Sequence, residues 1–197
     1  MSMAKKNQLT KSDYLPMEDY KKLLYLLHKD RQYLWELYAR LAFCTALRVS
    51  DILPLTWSDI LHKGSLTKSE KKTGKVRKIP FNLNIQTRIE ELYMLLKRPN
   101  PNELIFKSKF TGTSISPQYL NRIMKEWKIK YKLNIENFST HTFRKTFGRY
   151  VYDTSENKSE ALLLLNRIFN HSSVEITKVY ICIRKDEINS IFDSIRF

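Results

Sequence analysis

The sequence predicts an α+β domain that is mostly α-helical and carries one small antiparallel β-hairpin. Three observations lead there. Apolar residues recur at three- and four-residue spacing through most of the 197 residues, which is the mark of helices with one buried face. One stretch breaks that rhythm. Residues 61–81, LHKGSLTKSEKKTGKVRKIPF, place β-compatible residues around Gly64, Gly74 and a KTGK turn. Finally, the chain has only four glycines and no Pro/Gly-rich linker, repeat or low-complexity tract, so a single core is expected.

Each element has its own signal. Residues 1–13 are basic and polar and read as a lead-in to a domain spanning 14–197. Leu15 to His28 is helical through Met17, Leu23, Leu24 and Leu27, and Arg31 to Cys44 through Leu34, Leu37, Tyr38, Leu41 and Ala42. A short helix begins at Val49 and stops at Pro54, whose ring cannot continue it. Ile85 to Leu96 is helical again. Leu104 to Phe106 reads as a short strand before a TGTS turn. Ser116 followed by Pro117 is a helix start, and that helix reaches Lys130. Thr142 to Val151 and Ser159 to Phe169 follow, the second apolar on several sides and therefore largely buried. Val174 to Tyr180 is short. Residues 185–195 close the chain, with Ile188, Ile191, Phe192 and Ile195 forming an apolar stripe.

Charge narrows the partners. The chain holds 35 Lys+Arg against 20 Asp+Glu, a net charge of +15. Such an excess favours a polyanion, because neutralising phosphates releases condensed counterions. Nucleic acid is the first expectation and an anionic membrane surface the second. Cys44 and Cys182 sit in apolar surroundings with no CxxC or zinc-ligand spacing, as reduced thiols of a cytoplasmic protein do. No apolar run is long enough to span a bilayer, and no signal peptide is visible.

Six polar residues invite chemistry, and each also has an ordinary explanation. Arg48 follows an apolar helix and can cap its last carbonyls. Lys72 lies in a solvated charge run opposed by Glu70. His141 and Arg144 share one face at the start of a helix, where Ser139 or Thr140 can cap and free N–H groups favour an anion. His171 ends a helix. Tyr180, nine residues on, can be a core tyrosine.

Together these six form a sharper pattern, which resembles the tyrosine recombinase (phage integrase) family from about Leu9 onward. Thr45, Leu47, Arg48, Ser50 and Asp51 match its T-x-L-R-x-S-D/E segment. Lys72 in KKTGKVRKIP matches its hairpin lysine, and His141 and Arg144 its HxxR. Asn170, His171, Ser172 and Ser173 match its L-G-H-S-S segment, with Tyr180 at the spacing of its tyrosine. Asn170 replaces the usual glycine but tolerates left-handed backbone. Cys182 stands where many members carry histidine. In length the chain is similar to the fimbrial switch recombinases, with no core-binding domain expected ahead of it.

The resemblance implies DNA strand cleavage and rejoining through a 3′-phosphotyrosine. Arg48 and Arg144 suit the phosphate because guanidinium forks hold it by two hydrogen bonds, and His171 adds another. Tyr180 is the implied nucleophile and His141 its base or a phosphate contact. Lys72 is the implied acid for the 5′-oxygen. Asp51 is expected to orient the active-site arginine or histidine. Lys68, Lys71, Lys75, Arg77, Lys78 and Lys145 are expected to bind double-stranded DNA. No cofactor and no metal is implied, and the chain has no Walker loop. The implied partners are DNA, a homotetramer assembled through the 185–195 helix, and accessory DNA-bending proteins. A DNA-binding regulator without cleavage and a type IB nicking-closing enzyme remain as alternatives.

Overall fold

Four helices begin where a short polar side chain can accept a backbone N–H that the helix leaves free. Asn82 accepts from Ile85, Ser116 from Tyr119, Asn157 from Glu160 and Ser173 from Ile176. The computed structural model describes residues 12–72, 74–183, 190 and 192–196. Among them the helices are α1 (Met17–Lys29), α2 (Tyr33–Thr45), α3 (Val49–Ile52), α4 (Leu83–Leu95), α5 (Pro117–Lys130), α6 (Thr142–Thr154), α7 (Lys158–Phe169) and α8 (Val174–Tyr180). A 3₁₀ turn, Trp57–Asp59, precedes the hairpin of β1 (Ser65–Ser69) and β2 (Val76–Pro80). The strands are antiparallel, with Ser65 opposite Pro80 and Ser69 opposite Val76.

The mostly helical α+β class therefore holds. Leu104 and Lys107 make isolated bridges to Thr56 and Ser114, so the stretch expected as a strand contributes single rungs instead. Ser12 and Asp13, expected in the lead-in, belong to the fold. Ser12 Oγ lies 3.1 Å from Thr142 Oγ1, and the Asp13 carboxylate accepts from the Asn137 N–H at 2.9 Å. Residues 1–11 and most of the expected helix at 185–195, including Ile188 and Ile191, lie outside the described residues.

Two apolar clusters flank α6. The larger gathers Leu23, Leu37, Tyr38, Trp57, Phe106 and Phe143. Fully burying a large apolar side chain contributes about 1.5–3 kcal/mol, so this cluster anchors the domain. The smaller contains Ala46, Leu162, Leu165, Phe169, Tyr180 and Ile181, with Phe147 packed against it. Helix α6 thus turns Phe143 into one cluster and Phe147 into the other, and its first turn stands at the seam.

Candidate active site

Three helix boundaries meet at that seam. Helix α2 ends on Ala46 and α7 on Asn170, both left-handed with φ of 49° and 50°. These caps leave carbonyls of the last turns without helical partners, and the negative ends of two helices face inward. Two guanidinium groups satisfy them. Arg144, 3% exposed, donates to the Ala46 carbonyl and to the Phe169 carbonyl, the latter at 3.1 Å. Arg48 donates to the same Phe169 carbonyl at 3.1 Å and to Glu70 Oε2 at 2.7 Å. Glu70 also accepts from Arg77 at 3.1 Å, and Arg77 reaches the Thr45 carbonyl at 3.3 Å. Burial first, then the charges of Arg48 and Arg77, lower the Arg144 pKa to about 10.

Tyr180 closes one side of this pocket. Its ring packs on Phe169 and His171, with centroids 5.2 and 4.9 Å apart. Its hydroxyl lies 3.5 Å from His141 Nδ1. At 7% exposure, burial raises its pKa, while Arg144 and Arg48 pull it back. Burial, and then the charges of Arg144 and its neighbours, push His141 and His171 down to about 4. Both imidazoles are neutral at pH 7, so one nitrogen of each is free to accept a proton. His171 is oriented by Thr177, with Nδ1 to Oγ1 at 3.1 Å.

The hairpin completes the ring of charge. Lys72 is exposed at its tip, and its charge helps hold both histidines neutral. Lys75 donates to the Asn170 side chain at 2.7 Å. Lys71 and Lys78 are exposed, and Lys68 is half-buried opposite Arg77.

The structure thus brings Arg48, His141, Arg144, His171 and Tyr180 together at the seam, with Lys72 near enough for its charge to act on both histidines. It places three expected residues differently. Asp51 Oδ1 accepts from the Lys71 backbone N–H at 2.8 Å, so it braces the turn that carries Lys72, in place of an arginine or histidine. Arg77 is occupied by Glu70 and Thr45 and so helps build the pocket wall. Lys145 is 4% exposed; its ammonium donates to the Ser12 carbonyl and stands 5.0 Å from the centre of the Tyr180 ring. That burial takes it out of the surface available to DNA. Glu70 carried no role in the sequence. Its only trace there was an acid inside a basic run, two residues before Lys72. Among the described residues no group of three His, Cys, Asp or Glu side chains could hold a metal ion, and no helix is long and apolar enough to cross a membrane.

This hairpin-bearing helical fold is shared with the catalytic domains of tyrosine recombinases, a class that cleaves and rejoins DNA. The chain belongs to the phage integrase family, whose model matches residues 13–187. It is 41% identical over 142 residues to the probable integrase/recombinase YoeC of Bacillus subtilis (strain 168), covering 72% of this chain and 74% of that protein. It is 26% identical over 167 residues to the tyrosine recombinase XerA of Pyrococcus furiosus, covering 84% of this chain and 56% of that one. Two solved structures share the fold. The XerH site-specific recombinase bound to palindromic difH substrate in a post-cleavage complex gives a TM-score of 0.67 at 22% identity, over 95% of this chain and 55% of that one. The lambda integrase catalytic core gives 0.57 at 25% identity, over 78% and 90%. The chain spans little more than half the length of XerA and XerH.

Proposed function

We propose that this chain rearranges DNA by site-specific integration, excision or inversion, with Tyr180 as the nucleophile. The observation that carries the assignment is the Tyr180 hydroxyl set beside His141 Nδ1 and next to the Arg144 guanidinium. A phosphodiester entering the pocket meets Arg48 and Arg144, whose forks neutralise charge building on its non-bridging oxygens. The Tyr180 oxygen attacks in line. The new bond joins that oxygen to phosphorus, and the bond from phosphorus to the 5′-oxygen breaks. The phenolic proton passes to neutral His141, and Lys72 supplies a proton to the departing oxygen. His171 donates to the phosphate. The ester keeps the bond energy, so a partner strand's 5′-hydroxyl can reverse the step and reseal the DNA.

Exposed Lys71, Lys75 and Lys78, with Lys68 beside them, supply phosphate contacts along the hairpin. XerH has been solved on a difH substrate and lambda integrase as a dimer on a core site; we carry DNA over to this chain from that likeness. Assembly into a tetramer through residues 185–195, and help from DNA-bending proteins, belong to the same reading.

The test is a nicked suicide substrate drawn from a library of inverted repeats, run on a denaturing gel. Wild type is expected to give a protein–DNA band and Tyr180→Phe none, with equal DNA binding. A band persisting in Tyr180→Phe removes Tyr180 as nucleophile.

A further inference from the structure

Lys145 is a buried cation that the strand-transfer steps above do not use. It follows Arg144 on α6 and is almost completely enclosed. Removing an ammonium from water is costly unless its surroundings replace the lost hydration. Two groups do so here. The Ser12 carbonyl accepts from it, and its Nζ stands 5.0 Å from the centre of the Tyr180 ring. The segment holding that carbonyl is itself fixed to α6: Ser12 Oγ meets Thr142 Oγ1 at 3.1 Å, and the Leu15 N–H donates to Thr146 Oγ1 at 2.9 Å.

A cation near an aromatic face is attracted to its negative quadrupole. The attraction grows when the phenol loses its proton, because the phenolate spreads negative charge into the ring. We propose that Lys145 is a positioning residue for the nucleophile, a fixed positive charge beside the Tyr180 ring that favours phenolate character as the bond to phosphorus forms. The proposal rests on Tyr180 being that nucleophile.

Other charged and titratable groups act on Tyr180 from every side. His141 comes from the cap that precedes α6 and Arg144 from α6 itself, Arg48 from the cap of α3, His171 from the turn before α8, and Cys182 from just beyond Tyr180. Lys72 of the hairpin acts on both histidines. Burial lowers the Lys145 pKa, while Cys182 and Asp13 pull it back towards the charged form. Arg144 and Arg48 are tied to backbone carbonyls and Glu70. Lys145 meets the face of the ring and the Ser12 carbonyl.

The test needs no DNA target. Difluorotyrosine placed at position 180 of the full chain by amber suppression ionises at lower pH than tyrosine, and fluorine NMR reads its midpoint alone. Lys145→Met and Lys145→Gln are each expected to raise that midpoint by about one pH unit. Lys145→Arg is expected to keep it. Lys178→Met, which removes a half-buried charge of α8 that is paired with Glu175, is expected to leave it unchanged. Lys145→Gln retains a donor for Ser12, so it serves where Lys145→Met does not fold. An unchanged midpoint in the neutral variants, or a wild-type midpoint restored by Gln, overturns the proposal. The Tyr180→Phe adduct assay judges the nucleophile separately, so the failure of one reading is told from the failure of the other.

Discussion

Arg48 and Glu70 meet across the pocket wall, with Arg48 Nη1 donating to Glu70 Oε2 at 2.7 Å. Glu70 is 2% exposed, and it binds Arg77 as well. One carboxylate therefore offsets two guanidinium groups that would otherwise repel each other. It also ties the hairpin carrying Lys72 to the arginine proposed to hold the phosphate.

Glu70→Ala removes that counter-charge and leaves both arginines partly buried and unpaired. The expected loss is about 3 kcal/mol of stability, read from urea unfolding, together with slower adduct formation. Glu70→Gln should recover part of the stability by keeping an acceptor. A Glu70→Ala midpoint equal to wild type would show that the pair does not hold the site.

Gly148 lies in α6 where α7 and the residue after Tyr180 press closest. A Cβ there would stand 2.6 Å from Ile181 Cγ2 and 2.8 Å from Phe169 Cζ. Gly148→Ala is expected to cost about 1–3 kcal/mol through overpacking, despite its better helix propensity. Because Ile181 must shift, Tyr180 shifts with it, so cleavage should fall further than melting temperature alone implies. Single-turnover rates beside a thermal melt check this.

His141 and His171 link the fold to pH. Each protonates near 6.5 in an unfolded chain and near 4 in the folded one. Between those values the unfolded state binds more protons, so stability rises with pH across this window. Stability is expected to be full above 6.5 and to decline as the pH falls towards 4. The double variant His141→Gln with His171→Gln should flatten that slope. Melting temperatures from pH 4 to 7 measure it; a slope unchanged in the double variant would assign the dependence elsewhere.

Lys71 and Lys78 are exposed on the hairpin and are expected to meet phosphates. Changing both to Gln should weaken DNA binding and reduce the slope of log affinity against log salt by about 2. The rate of cleavage at saturating protein should hold. An unchanged slope would place these lysines away from the DNA.

The sequence made the helices readable where a local signal existed. Ser116 and Pro117 announced α5, and apolar spacing announced α1 and α2. The site residues were readable because six side chains of four types stood in the order and local spacing of a known family pattern. What stayed hidden depends on contacts between distant segments. Glu70 looked like one acid in a basic run, since nothing local says that the hairpin folds it onto Arg48. Lys145 looked like a surface charge, because its partner is a carbonyl far away at Ser12. Asp51 suggested an arginine partner by its nearness to Arg48, yet it serves the Lys71 N–H. Leu104 to Phe106 had strand-like residues, but among the described residues Leu104 pairs through one isolated rung with Thr56.

The guanidinium acceptors at Thr45, Ala46 and Phe169 are peptide oxygens. No codon change deletes a peptide oxygen. Variation can therefore rewrite the side chains at these positions, within the limits of packing, while the arginine rests persist. The exposed hairpin surface is then free to vary over a centre whose scaffold is inherited with the backbone itself.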